Sequence, residues 1–365
     1  MGPALAQDRP GSPPDRNHGK IRVMVIDDSI TARSALVRTI DARRDMAVVA
    51  TAGSAEVGLE LLDDKRVDVI LLDLEMPGMG GLKALPSILA KSMGAKVLVV
   101  SSLTTAGAEP TLAALAMGAA DTLAKPSAGN FGEAYRGELL GKIVALAHKA
   151  GRTPVSLQHS QPALQARAHR QLRTKPAVIA IGASTGGIHA LGRFFGALPQ
   201  SIDCPILVTQ HLPDAFMPVF ARQIATMSGR SAFIAEDGMP LKRGEVLIAP
   251  GRGHLMLRER RGAIVASIAQ FPATSGCCPS VDPMFEAVAE HFGPGGLGVV
   301  LSGMGRDGSI GAQAIARAGG LLLAQDEESC AVFGMPRGIV DAGLSHATSP
   351  PEDLARLIGE RGAAR

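Results

Sequence analysis

Two α/β domains, each built on a mainly parallel sheet, are predicted from three features of this 365-residue sequence. Short β-branched runs alternate with longer amphipathic stretches, which is the pattern of βαβ units. That texture occurs twice. Between the two occurrences lies a stretch with seven Lys/Arg and no carboxylate, over 141–176.

Residues 1–20 are Pro/Gly-rich and polar without apolar periodicity, and read as a disordered tail. From Ile21 the strand-like runs are IRVMVID (21–27), MAVVATAG (46–53), VDVILLD (67–73), KVLVVSS (96–102) and DTLAKP (121–126), so a first domain is expected over 21–140. No buried face is traceable through 141–176, which reads as a solvated basic linker with some helix around Leu139 to Ala150. A second domain over 177–365 opens with AVIAIGAS (177–184). PILVTQH (205–211), EVLIAP (245–250), GLGVVLSG (296–303) and GLLLAQD (320–326) follow.

Composition narrows the function. The net charge of +3 divides into +1 for 1–20, −3 for 21–140, +7 for 141–176 and −2 for 177–365. Neither folded half is basic, and aromatic residues are 3% with no Trp, so a nucleic-acid partner is not expected. No apolar run approaches the ~18–20 residues needed to span a bilayer, and no signal peptide is visible. Membrane insertion is not expected, and the expected location is the cytoplasm. The four cysteines (Cys204, Cys277, Cys278, Cys330) form no CxxC pair and read as reduced thiols.

In an open parallel sheet, ligands bind at the carboxyl ends of the strands. Asp27 and Asp28 follow the first strand and Asp73 ends the third. Carboxylates converging there repel one another unless a hard divalent cation such as Mg²⁺ sits among them. Ser101 brings a hydroxyl and Lys125 an ammonium to neighbouring strand ends, so the set is suited to holding a phosphoryl group on Asp73. Any one of these residues read alone is as well explained by helix capping or a turn.

In the second half, Gly182-Ala183-Ser184-Thr185-Gly186 fits the G-x-S-x-G turn that lifts a nucleophilic serine above a sheet at a helix amino terminus. A phosphate-cradling loop is the rival, although no Walker lysine follows, and a serine that merely caps the helix is the third reading. A nucleophilic serine needs a base and an orienting carboxylate. His211 ends the next strand. His254 competes with it, whereas His189 and His291 lie on helices. Asp307 follows a strand in LSGMGRDG, with Asp237, Asp282 and Asp326 as alternatives, and the Gly-rich 303–308 turn offers backbone N–H groups to an oxyanion.

Taken together, DDS (27–29), DLEMPGMG (73–80), SS (101–102) and KP (125–126) resemble the two-component receiver family over about 120 residues. The resemblance implies a flavodoxin-like receiver with Asp73 as phosphoacceptor, Asp27, Asp28 and Asp73 around Mg²⁺, Ser101 as switch hydroxyl and Lys125 as phosphate partner. It also implies a histidine kinase as phosphodonor. Thr122 stands where many receivers carry an aromatic switch residue.

IGASTGG (181–187), QHLP (210–213), PSVDPMF (279–285), LSGMGRDG (301–308) and AQDEESCAVFGMP (324–336) resemble the catalytic domain of the chemotaxis protein-glutamate methylesterases. That resemblance implies a doubly wound, mainly parallel α/β esterase domain. Ser184 would be the nucleophile, His211 the general base and then acid, and Asp307 its orienting carboxylate. Thr185 and Met304 fall in the active-site segments, and the Met304 N–H is a candidate oxyanion donor. The implied substrates are glutamate γ-methyl esters on chemoreceptors, with receptor glutamines as further substrates, and no cofactor for the ester chemistry. Cys277-Cys278 replaces residues that are often basic in relatives.

Overall fold

The computed structural model describes residues 19–101, 105–125, 132–147 and 175–363. Residues 1–18 of the tail expected over 1–20, most of the expected linker, Ser102 and Pro126 lie outside the described residues.

In the first half, β1 (Ile21–Ile26), β2 (Met46–Ala52), β3 (Val69–Asp73), β4 (Lys96–Ser101) and β5 (Asp121–Ala124) form one sheet in the order β2-β1-β3-β4-β5. Every pair is parallel. This is the flavodoxin-like order. β3 is buried along its whole length, as its unbroken apolar run requires of a central parallel strand. The connecting helices are α1 (Ile30–Asp41), α2 (Ala55–Asp64), α3 (Gly80–Lys91), α4 (Thr105–Met117) and α5 (Glu133–Ala147). Ser29 and Ser54 cap α1 and α2 by accepting hydrogen bonds from the backbone N–H groups of Ala32 and Val57.

α5 crosses the linker boundary expected at 140–141. Its Leu139, Ile143 and Leu146 are buried, at the i, i+4, i+7 spacing of one helical face. The expectation that 141–176 holds no buried face is therefore corrected for its first residues. The basic charge there had masked two apolar positions that continue a stripe begun at Leu139.

The second half opens with β6 (Val178–Ala183), α6 (Gly187–Ala197), β7 (Ile206–Gln210), α7 (Met217–Ser228), β8 (Ala232–Ile234) and β9 (Val246–Ile248). A hairpin of β10 (His254–Arg260) and β11 (Ala263–Ala269) precedes α8 (Val281–Phe292). The chain ends with β12 (Gly296–Val300), α9 (Ser309–Arg317), β13 (Leu321–Gln325), α10 (Met335–Asp341), β14 (Ala347–Ser349) and α11 (Pro351–Ala363). Seven strands form a sheet in the order β14-β13-β12-β6-β7-β9-β8, and all its pairs are parallel. The chain leaves β6 toward β7 and later returns to place β12 on the other side of β6. The crevice above β6 and β12 is therefore the topological switch point, the usual position of a ligand site in such sheets.

The hairpin is antiparallel and separate from the sheet. It turns on Arg261 and Gly262, both with positive φ (53° and 77°). That pair supplies a two-residue turn whose twist matches the strands.

The halves are packed together. One apolar cluster contains Leu112 and Leu115 of α4 together with Ile188 and Leu191 of α6, and α4 also meets α7. Among the described residues no helix is long and apolar enough to cross a membrane.

Candidate active site

Three loops at the switch point bring Ser184, His211 and Asp307 together. Ser184 follows β6, His211 follows β7 and Asp307 follows β12. The Ser184 hydroxyl lies 3.1 Å from His211 Nδ1, and His211 Nε2 lies 2.7 Å from Asp307 Oδ2. With the ring proton on Nε2, facing the carboxylate, the Nδ1 lone pair faces the hydroxyl.

Backbone geometry fixes the serine. Gly186 caps α6 at φ +77°, and a Cβ there would come within 2.5 Å of Ala331 Cβ and 2.7 Å of Ser302 Oγ. Only glycine fits that turn. The Ser184 N–H donates to Ser302 O, and its carbonyl accepts from Gln210 Nε2 at 2.9 Å. Gly303 is equally constrained: a Cβ would lie 3.0 Å from Ser184 Cβ and 2.2 Å from Met335 Sδ.

Asp307 is buried and held on both oxygens. Oδ1 accepts from Ser280 Oγ (2.6 Å), and Oδ2 accepts from the Val281 N–H (2.7 Å) at the start of α8 as well as from His211. Burial by itself would raise this carboxyl, but the hydrogen bonds from His211, Ser280 and Val281 outweigh it and hold Asp307 well below the usual carboxylate range. Burial likewise disfavours a charged imidazole, yet Asp307, and after it Cys277, lift His211 to about 9.

The competing residues are occupied elsewhere. His254 is fully buried, bonded through Nε2 to Phe271 O (2.8 Å) and accepting the Ser280 N–H on Nδ1 (3.0 Å). It supports Ser280, which in turn holds Asp307. His189 bonds to Ala116 O and His291 to Leu257 O. Asp326 accepts the Ser329 N–H, Asp237 pairs with Arg258, and Asp282 accepts the Gly311 N–H. Burial pushes Asp282 up to about 6, with the neighbouring Asp307 charge adding to the rise.

Thr185 and Met304 diverge. Met304 is half-exposed beside Asp307 in a cavity of about 390 Å³, whereas Thr185 is buried and donates through Oγ1 to Asp121 Oδ2 (2.6 Å) at the first residue of β5. Asp121 also pairs with Lys142 Nζ of α5 (2.8 Å), and the Gly186 N–H donates to Ala120 O (2.6 Å). A cavity of about 340 Å³ is accordingly walled by Ser184 and His211 on one side and by Leu115, Asp121, Thr122 and Lys142 on the other.

The acidic residues of the first half lie together. One oxygen from each of Asp27, Asp28 and Asp73 lies within 4.8 Å of the others, and Lys125 Nζ is 2.7 Å from Asp73 Oδ2. Burial raises both Asp27 and Asp73. The Asp73 charge adds to the rise at Asp27, while the Lys125 hydrogen bond opposes it at Asp73. Ser101 is buried, accepts from Thr111 Oγ1 (2.8 Å) and lies 3.4 Å from Thr122 Oγ1. The position lacking an aromatic ring thus joins a hydroxyl chain one residue from Asp121.

Sequence reasoning did not assign Ser280, Gln210, Ser302, Thr111 or Asp121. Ser280 and Gln210 lie inside quoted motifs (PSVDPMF and QHLP) and Asp121 heads a quoted strand, so the positions were visible. Their partners are distant in sequence and were not.

The architecture defines a class: a parallel-sheet domain with an acidic pocket at its strand ends, packed over a second such domain that gathers serine, histidine and aspartate at its switch point. The second half matches the family model for CheB methylesterase over residues 179–358, and the first matches the response regulator receiver domain over 23–132. The chain is 38% identical to protein-glutamate methylesterase/protein-glutamine glutaminase 1 of Rhodospirillum rubrum, over 93% of this chain and 95% of that one. It is 39% identical to protein-glutamate methylesterase/protein-glutamine glutaminase 2 of Caulobacter vibrioides, over 93% and 99%. The crystal structure of the Thermotoga maritima CheB methylesterase catalytic domain is 33% identical, covering 51% of this chain and all of that one, at a TM-score of 0.49. The chain belongs to the CheB methylesterase family, with a response regulator receiver domain at its amino-terminal side.

Proposed function

We propose that the chain is a phosphorylation-regulated protein-glutamate methylesterase that hydrolyses glutamate γ-methyl esters on chemoreceptors and deamidates receptor glutamines. The observation that carries the reading is the continuous contact Ser184 Oγ–His211 Nδ1–His211 Nε2–Asp307 Oδ2 at a sheet's switch point. Neutral His211 takes the Ser184 proton on Nδ1 as the oxygen attacks the ester carbonyl, and Asp307 stabilises the imidazolium that results. Collapse of the tetrahedral intermediate expels methanol, which carries that proton away. Water then adds to the acyl-serine, giving up a proton to Nδ1, and the free glutamate leaves. A glutamine follows the same course with ammonia as leaving group. The Met304 N–H in the 303–308 turn serves the oxyanion.

Regulation starts in the amino-terminal domain, over 21–140, where a histidine kinase supplies the phosphoryl group to Asp73. Three carboxylates, two of them buried and destabilised by burial, suit a hard divalent cation, and Asp27, Asp28 and Asp73 would hold Mg²⁺. The cation supplies charge neutralisation for the phosphoryl oxygens. In this reading Lys125, already paired with Asp73, and Ser101 bind phosphoryl oxygens on Asp73. Recruiting the Ser101 hydroxyl removes its contacts with Thr111 and Thr122, next to the Asp121–Thr185 bond that joins the domains. Phosphorylation shifts the population toward an undocked arrangement that opens the Ser184 cavity.

The test is methanol release from methylated receptor, with and without a small-molecule phosphodonor. Wild type is expected to release methanol faster with the donor, Asp73→Asn to be insensitive to it, and Ser184→Ala to release none. Turnover by Ser184→Ala refutes the nucleophile; a donor response in Asp73→Asn refutes the acceptor.

A further inference from the structure

A third side chain stands beside the His211–Asp307 pair. The Cys277 sulfur, a ring nitrogen of His211 and a carboxylate oxygen of Asp307 lie within 4.8 Å of one another. Cys277 is half-buried and carries a free thiol on the segment between β11 and α8. Its N–H donates to Ser275 Oγ at 3.3 Å and its Sγ lies 3.9 Å from Ser275 O.

Thiolate, imidazole and carboxylate are the donors that zinc takes, in contrast to the all-carboxylate cluster around Asp73 that suits Mg²⁺. Tetrahedral zinc, with bonds of about 2.0–2.3 Å, sets its donor atoms roughly 3.3–3.6 Å apart. His211 Nε2 and Asp307 Oδ2, 2.7 Å apart, must part by roughly 0.6–0.9 Å to admit the metal, while the Cys277 sulfur, within 4.8 Å of both residues on a loop, closes on it. The cavity lined by Cys277, Met304 and Asp307 leaves room for water as fourth ligand.

We propose that Zn²⁺, or a similarly thiophilic divalent ion, binds His211, Cys277 and Asp307 and reversibly silences the esterase. Binding releases the thiol proton and the proton shared by His211 and Asp307 to solvent, and the metal takes both places. His211 is then locked to the metal and no longer relays the Ser184 proton. The inhibitory half rests on the esterase reading above; the metal site does not.

The test uses full-length protein saturated with Mg²⁺, so that the carboxylate cluster is filled, and titrates Co²⁺ as an optical probe. One equivalent is expected to produce a thiolate-to-cobalt charge-transfer band with tetrahedral visible absorption, displaced by Zn²⁺. The band should be lost in Cys277→Ser and kept in Cys278→Ser. No band in wild type, or a band untouched by Cys277→Ser, overturns the site. Zn²⁺ should also suppress methanol release by wild type, with recovery on adding chelator. In Cys277→Ser, measured against its own metal-free rate, the half-inhibiting concentration should rise by about tenfold or more. Equal inhibition of both proteins overturns the silencing. A cobalt band in a protein that releases no methanol when metal-free keeps the metal site and refutes the esterase reading instead.

Discussion

Asp307→Asn removes a charge while keeping the shape, and its effect on His211 follows from the pair's geometry. Burial disfavours the charged ring, but Asp307, and after it Cys277, raise His211 from 6.5 to about 9. A shift of about 2.5 units corresponds to roughly 3 kcal/mol of preference for the imidazolium. Neutral His211 is the form that accepts the Ser184 proton. In wild type, kcat/KM for methanol release should therefore rise with pH through an inflection well above the ordinary histidine value. In Asp307→Asn the burial penalty remains without the carboxylate, so the inflection falls below its wild-type position. The plateau falls too, by about 10³–10⁴, because the asparagine no longer stabilises the imidazolium or enforces the Nε2–H tautomer. Stability moves with the same pair. A raised histidine contributes stability that is full below its unfolded value and is lost as pH rises through about 9, so wild type should lose its advantage over Asp307→Asn on going alkaline. Rate profiles and thermal melts across pH 6–10 provide both readings. An inflection that stays in place when Asp307 is replaced refutes the reasoning.

Two other perturbations probe the first half and its contact with the second. Asp121→Ala removes the carboxylate that accepts from Thr185 across the interface. A hydrogen bond to a charged group is worth about 1.5–3 kcal/mol, so basal activity without phosphodonor should rise about tenfold and the donor's further effect should shrink. An unchanged basal rate contradicts a restraining role for the Thr185–Asp121 bond. Asp27→Asn relieves a buried carboxylate that burial and Asp73 hold above its ordinary value. Such a raised carboxyl favours the fold at low pH and works against it at neutral pH. In metal-free buffer at pH 7 the variant should therefore melt above wild type, and added Mg²⁺ should stabilise it less. A lower melting temperature without metal contradicts that account.

Much of this was legible because period and punctuation agree. Every run read as a strand over 21–126 overlaps an observed one, and the five runs of the second half fall on β6, β7, β9, β12 and β13. Ser184, His211 and Asp307 were legible because each follows a strand end, and parallel strands deliver their ends to one rim. β8 and β14, at three residues each, carry too little pattern to stand out. The β10–β11 hairpin hides because Arg261 adopts the positive φ that turns of this kind usually assign to Asn or Asp. The stripe Leu139–Ile143–Leu146 lies partly under a charge count that argued for solvent. Ser280 and Asp121 escaped assignment, and His254 was weighed only as a rival base, for another reason. Their roles depend on pairings 27, 26 and 64 residues apart, and one residue's chemistry does not announce a distant partner.

The proposed chemistry depends on the Ser184 oxygen being made nucleophilic by its neighbours. Labelling with a fluorophosphonate, followed by peptide mass mapping, reports this directly. One adduct per chain is expected, on Ser184, forming much more slowly in His211→Ala and blocking methanol release as it forms. An esterase that stays active with Ser184 unlabelled, or an activity-blocking adduct on another residue, contradicts the account.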